Sequence, residues 1–312
     1  MTELKERGVT LPGVDIVEEA IRCVAQGDVV PHEIGTVGPI YAEDYEELKA
    51  KGYELDDIVG RNGIERAMDL TLRGSDGIKE IKVVNGEIVS SEITTPVVAG
   101  STVQLTVNSA YQRELQGILE DFIQNFDNFR DAKTQEAGLG EVSCGAIVVL
   151  DAKDGGVLGM ATAPTYNLND YKTNYQSFLG DEDAPLVNRV TDGLYRPGST
   201  FKTITATAGL NEGYISGGST FNCAGTYMFK DHKYHCTGSH GDISVTRALQ
   251  VSCNIFFYRL SEQLTIDGIS EYASKFGLGQ PTGLETGERS GHLSNQETFA
   301  AVSYTHLTLP TI

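Results

Sequence analysis

The chain reads as an α+β protein of more than one domain, and three observations predict this. Helical and β-rich segments alternate without repeat through the first hundred residues. A long amphipathic helix then leads into a strand, a Gly-rich turn and a returning strand. Finally, 312 residues exceed one ordinary domain, while 40% hydrophobic and 21% charged residues suit a packed core rather than disorder.

Taken in order, "AEDYEELKAKG" (Ala42–Gly52) has an acidic start, late lysines and a glycine stop, the pattern of a short helix. "IERAMDLTLRG", closed by Gly74, predicts a second. "IKEIKVVNGEIVSSEI" sets two β-rich runs around Asn85-Gly86, a strong hairpin signal. "VQLTV", beginning at Val103, predicts a strand. Ala110–Phe126 predicts an amphipathic helix with Leu115, Ile118, Leu119, Phe122 and Ile123 at helical spacing. "GAIVVLDAKDGGVLGMAT" predicts paired strands, and Pro164–Asp192 reads as loop-rich. The domain boundary is expected between Gly100 and Gly140.

Charge and apolar runs exclude some functions. A formal charge of −19 argues against a nucleic-acid surface or an anionic membrane surface, both of which need clustered Lys and Arg. No apolar run approaches the ~18 residues that cross a bilayer, and "MTELKERG" lacks the apolar core of a signal peptide.

The chemistry concentrates in "RPGSTFK". Pro197-Gly198 is a turn pair, and the helical pattern that follows puts Ser199 in a first turn, where backbone N–H groups lack partners. Lys202 falls on the same helix face, one turn on, at a Cβ separation of roughly 5–6 Å. A serine hydroxyl becomes a nucleophile when a base removes its proton, and a lysine serves as that base only when its pKa is depressed. Desolvation and the positive end of a helix both depress it. By itself Ser-x-x-Lys is a common tetrad, equally read as a polar helix start with a solvated lysine. A second element changes the balance. "LQVSCNIFFYRL" presents Ser252 and Asn254 one residue apart, a hydroxyl able to pass a proton and an amide able to hold both a lysine and a substrate carbonyl.

Ser-x-x-Lys with Ser-x-Asn is the known signature of penicillin-binding proteins and class A β-lactamases. "PLVNRVTDGLYRPGSTFK", "HGDISVTRALQVSCNIFFYRL" and "FGLGQPTGLETGERSGHL" together resemble the transpeptidase domain of class B penicillin-binding proteins. "PHEIGTVGPIYAEDYEELKAKGY" through "GRNGIERAMDLTLRG" resembles the dimerisation or pedestal domain before it, of the elongation type. The resemblance implies a partial pedestal domain over residues 1–105, then the N-terminal part of a transpeptidase domain over 106–300, an antiparallel sheet with helices on both faces. It implies Ser199 as acylated nucleophile, Lys202 as general base, Ser252 as proton relay and Asn254 as substrate-positioning amide, with no cofactor and no metal. The substrates implied are peptidoglycan stem peptides, with β-lactam antibiotics as mimics. A glycan polymerase is the implied partner, nucleic acid is not, and the setting is the extracytoplasmic face of the bacterial cell membrane.

The family's third motif, Lys-Thr/Ser-Gly, is not in this sequence, and neither is its membrane anchor, so the chain is expected to be a fragment that is inactive as it stands. "AVSYTHLTLPTI" looks like a translated sequencing adapter, which would end the natural sequence near Ala300. Two other readings are weighed. A class A β-lactamase needs Glu-x-x-Leu-Asn, but Leu168-Asn169 and Leu210-Asn211 are preceded by Thr165 and Thr207 at the glutamate position. A non-catalytic β-lactam-sensing receptor would keep Ser199 and Lys202 without a pedestal. Among the five cysteines, Cys223 and Cys236 flank a stretch near His232, His235 and His240, open to a disulfide, a zinc site or free thiols. Cys144 and Cys253 read as packing residues.

Overall fold

The computed structural model describes residues 23–85, 87–129 and 142–295. The suspected adapter, residues 301–312, lies outside them. Two compact units divide between Leu186 and Val187. The architecture is α+β, and among the described residues every strand pair is antiparallel and each of five sheets has two strands.

In the first unit, α1 (Pro31–Ile34), β1 (Val37–Pro39), α2 (Tyr45–Ala50), β2 (Ile58–Gly60), α3 (Gly63–Ala67) and α4 (Asp69–Leu72) follow one another. β1 pairs with β2 over a small core of Ile40, Tyr53 and Val59. The helix expected from Ile64 is thus two short ones, because Met68 leaves helical geometry at φ −113°. β3 (Ile78–Val84) and β4 (Glu87–Thr95) form the expected hairpin, and Asn85 adopts the positive φ of 53° that its turn demands.

α5 (Ser109–Gln124) is capped by the Asn108 side chain, which accepts from the N–H groups of Ala110 and Tyr111. It packs Leu115 and Leu119 onto Ala161 and Ala163 of the hairpin β5 (Gly145–Leu150) and β6 (Val157–Ala163). Gln112, 2% exposed, substitutes for a strand neighbour. Its Nε2 donates to Met160 O at 2.6 Å, and its Oε1 accepts from Met160 N at 2.8 Å.

Two expectations fail here. Residues 103–107 form no strand: they alternate partly buried and exposed, but the bond to the neighbouring chain is a side-chain one, Thr106 Oγ1 donating to Val157 O at 2.6 Å, in place of a backbone ladder. The loop expected before the Ser-x-x-Lys motif contains α6 (Tyr171–Gly180), whose "YKTNYQSFLG" buries no residue and so carries no amphipathic signal.

The second unit holds a 3₁₀ turn (Gly198–Phe201), α7 (Lys202–Asn211), β7 (Thr220–Cys223), β8 (Thr226–Phe229), β9 (His232–His235), β10 (Gly241–Ser244), α8 (Val245–Gln250) and α9 (Asn254–Lys275). β7 pairs with β10, and β8 with β9. Its core is built from α7 and α9, with Ile204, Ala208, Ile255, Phe256, Phe257 and Leu260 buried. Gly209 permits the close approach of the two helices: a Cβ there would lie 2.8 Å from both Leu260 methyl carbons. This packing pins the α7 N-terminus against the α9 N-terminus, and the site lies there.

Candidate active site

Ser199 and Lys202 flank the junction between the 3₁₀ turn and α7. Gly198 enters this turn at φ +58°, a conformation that a side chain would strain. Thr200 Oγ1 ties the turn back to Pro197 O at 2.6 Å. Ser252 lies between α8 and α9, with φ 52°, and Asn254 opens α9.

The four expected residues meet. Lys202 Nζ donates to Ser252 O at 2.9 Å, to Ser252 Oγ at 3.0 Å and to Asn254 Oδ1 at 2.6 Å. Ser252 Oγ lies 3.0 Å from Ser199 Oγ. Among the described residues Lys202 makes no hydrogen bond to Ser199, so the two are connected through Ser252. That is a refinement of the direct face-to-face pairing expected from spacing. The lysine is 1% exposed. Burial pushes its pKa below the ordinary value, opposed by the nearby thiols of Cys236 and Cys253. No carboxylate is among the groups acting on it, so three neutral oxygen acceptors and the two thiols are what offset the burial of its charged form.

Behind this centre lies a cluster of which the sequence offered three members, Cys223, Cys236 and His240, as one of several readings, and missed the fourth, Cys253. Cys223, Cys236, His240 and Cys253 bring their ligand atoms within 4.8 Å of one another. Cys223 ends β7, Cys236 follows β9, His240 precedes β10 and Cys253 caps α9, accepting from Phe256 N at 3.5 Å. Cys223 and Cys236 form no disulfide with each other, so the bridge weighed above is not formed. Cys253, read as packing, belongs to the cluster.

The donor set fits zinc. A tetrahedral ion with bonds of ~2.3 Å to sulfur and ~2.0 Å to nitrogen requires S···S near ~3.8 Å and S···N near ~3.5 Å. Here Cys236 and Cys253 sulfurs lie 3.7 Å apart, and His240 Nδ1 is 3.4 Å from Cys223 Sγ and 3.7 Å from Cys236 Sγ. Four protein donors would leave no open position, the pattern of a structural ion. Burial raises the Cys236 thiol, but N–H donors from Ile255, Gly238 and Asn254 overcome it and lower the pKa to about 6, favouring the thiolate that a metal needs. The sequence alone assigned no metal; the fold assembles a set that suits one. Cys144 is half-buried, its sulfur 3.6 Å from Asp183 Oδ1, and takes no part.

A serine joined through a second hydroxyl to a buried amine, with an amide closing the circuit, is the arrangement that serine–lysine acyl transfer requires. The chain matches the penicillin binding protein transpeptidase domain over residues 145–310 and the penicillin-binding protein dimerisation domain over residues 1–105. It belongs to the penicillin-binding protein transpeptidase family. Among curated proteins it is 32% identical to the peptidoglycan D,D-transpeptidase MrdA of Escherichia coli K12, covering 92% of this chain and 44% of that one. The chain therefore spans about half the length of the curated relatives it matches. Among solved structures, one of a peptidoglycan synthase complex coordinating polymerization and crosslinking aligns with TM-score 0.75 and 31% identity, over 88% of this chain and 48% of the other. The complex of PBP2 with MreC from Helicobacter pylori aligns with TM-score 0.71 and 25% identity, over 88% and 49%. Membership of a class B, elongation-type penicillin-binding protein agrees with the resemblance read from the motifs.

Proposed function

We propose that this chain carries the acylation centre of a peptidoglycan D,D-transpeptidase of the elongation type. The observation that carries the reading is the circuit Ser199–Ser252–Lys202–Asn254 around a lysine that burial disposes to be neutral.

In this reading Ser199 Oγ attacks the carbonyl between two D-alanines of a stem peptide. Its proton passes through Ser252 Oγ to Lys202 Nζ, along the 3.0 Å contacts. The proton returns by the same hydroxyl to the departing D-alanine amine, leaving an ester on Ser199. An amine from a second stem then attacks that ester, the relay runs again, and the crosslink forms. Asn254 holds the lysine through Oδ1 and is the amide expected to meet the substrate. A β-lactam that mimics the D-Ala-D-Ala end would leave a slowly hydrolysed ester on the same oxygen.

The pedestal match at residues 1–105 favours this reading over a receptor that only senses β-lactams. Stem peptides and β-lactams are the proposed ligands, and a glycan polymerase is the proposed partner, as the synthase complex of a relative suggests. Among the described residues no helix is long and apolar enough to cross a membrane; the proposed setting is the outer face of the cell membrane. The test is covalent labelling by fluorescent penicillin of a polypeptide that continues this chain through a relative's C-terminal transpeptidase segment. Label is expected on Ser199, lost in Ser199→Ala and kept in Ser109→Ala. A folded protein that takes no label overturns the proposal, and rapid release of label would indicate a β-lactamase instead.

A further inference from the structure

Cys236 has no part in the acyl transfer just described, yet it touches the centre. Asn254 is gripped twice from the end of β9. Its backbone N–H donates to Cys236 Sγ at 3.2 Å, and its side-chain Nδ2 donates to His235 O at 3.3 Å.

A carboxamide has one donating and one accepting end. With Nδ2 committed to a carbonyl, which only accepts, Oδ1 must turn toward Lys202 Nζ, 2.6 Å away. A flipped amide would set oxygen against oxygen and NH₂ against the amine. The grip on the backbone matters as much, because Asn254 opens α9 and follows directly on Ser252, whose backbone and hydroxyl oxygens hold the same Nζ.

Cys236 is itself fixed. Its N–H donates to Gly225 O at 3.0 Å, and its sulfur meets Cys253 Sγ and His240 Nδ1, each at 3.7 Å. It thereby links the thiol–imidazole cluster to the reaction centre.

We propose that Cys236 is a positioning residue for acylation, acting through Asn254 to hold Lys202 Nζ against the Ser252 hydroxyl. The inference rests on the acylation centre assigned above. It predicts that removing the sulfur slows the chemical step while leaving β-lactam recognition largely alone.

The test measures fluorescent-penicillin acylation by stopped flow on the extended polypeptide, separating the acylation rate constant from the binding constant. Cys236→Ala should slow acylation by about tenfold or more with binding changed less than about threefold. Cys236→Ser, whose hydroxyl oxygen accepts the same N–H, should recover much of the rate. The double variant Cys236→Ala/Asn254→Ala should be no slower than Asn254→Ala alone, since both act on one contact chain. Cys144→Ser changes a thiol that stands against Asp183, outside the cluster, and should keep the rate within about threefold.

Losses that multiply in the double variant overturn the proposal, as does a Cys236→Ala protein acylated at the parent rate. An equal slowing in Cys144→Ser also overturns it, because a general effect of losing a thiol rather than the Cys236 contact would then set the rate. If Cys236→Ala does not fold, the same cycle with Cys236→Ser decides. An unlabelled parent would bring down the acylation centre and this inference together; a labelled parent with an indifferent Cys236→Ala brings down only the latter.

Discussion

Two regions of this chain make opposite use of apolar residues. In the β3–β4 hairpin, Ile78, Ile93 and Val83 are 61%, 68% and 57% exposed. Along α9, Phe257 and Leu260 are fully buried, and the buried set even includes Lys202 at 1%. The hairpin is held by its backbone ladder, the helical region by side-chain packing. A ladder fixes strand register but cannot desolvate a titratable group, whereas packed helices can. Chemistry that needs a neutral lysine therefore belongs with the helices.

Four experiments would break or sharpen that contrast. The largest effect is expected from Lys202→Met, which keeps the length of the side chain and discards the amine. Acylation by fluorescent penicillin should fall by roughly 10²–10⁴, while the melting temperature holds, because a buried unpaired charge costs more than a thioether. The parent's rate should also depend on pH with a defined sign. Burial lowers Lys202 from 10.5, so neutral amine and rate grow as pH rises through the lowered value and fall as protonation proceeds below it. Folding linkage runs the same way. The unfolded chain binds the proton more tightly, so the stability contribution is greatest above 10.5 and declines toward the folded pKa. A rate indifferent to pH would count against a lysine base.

Next, Phe257→Ala should cost about 3–5 kcal/mol in chemical denaturation; a cost near zero would contradict the packing described. Third, metal analysis should find about one zinc per chain, and a strong chelator should lower the melting temperature. Cobalt substitution should give the visible bands of tetrahedral thiolate coordination; a metal-free, chelator-indifferent protein would refute the fit. The smallest effect belongs to the hairpin, where Ile93→Ala should shift stability by no more than about 0.5 kcal/mol. A larger loss would mean that this side chain is covered in solution.

The same contrast explains what the sequence disclosed. The hairpin was legible at Asn85-Gly86 because a turn of that kind is a local decision. Ser199, Lys202, Ser252 and Asn254 were legible because the chemistry demands short fixed spacings and the family resemblance supplied the pairing of the two motifs. The resemblance implied Ser252 as a relay, but the contacts that join it to Ser199 and Lys202 depend on α7 and α9 meeting at their N-termini, which no local spacing reveals. The cysteine cluster was hidden for a related reason. Its ligands come from a strand end, two loop positions and a helix cap, and only Cys236 and His240 stand close in sequence. Residues 103–107 and α6 misled in opposite senses: alternation suggested a strand where a side-chain bond replaces the ladder, and unpatterned polarity concealed a helix.

The left-handed backbone at Ser252 bears on how this protein can change. Glycine would occupy that conformation with less discomfort, so Ser252→Gly should leave a sturdier molecule that can no longer hand a proton across. Durability and turnover then pull on one codon from opposite sides, and retaining serine there marks which of the two has prevailed.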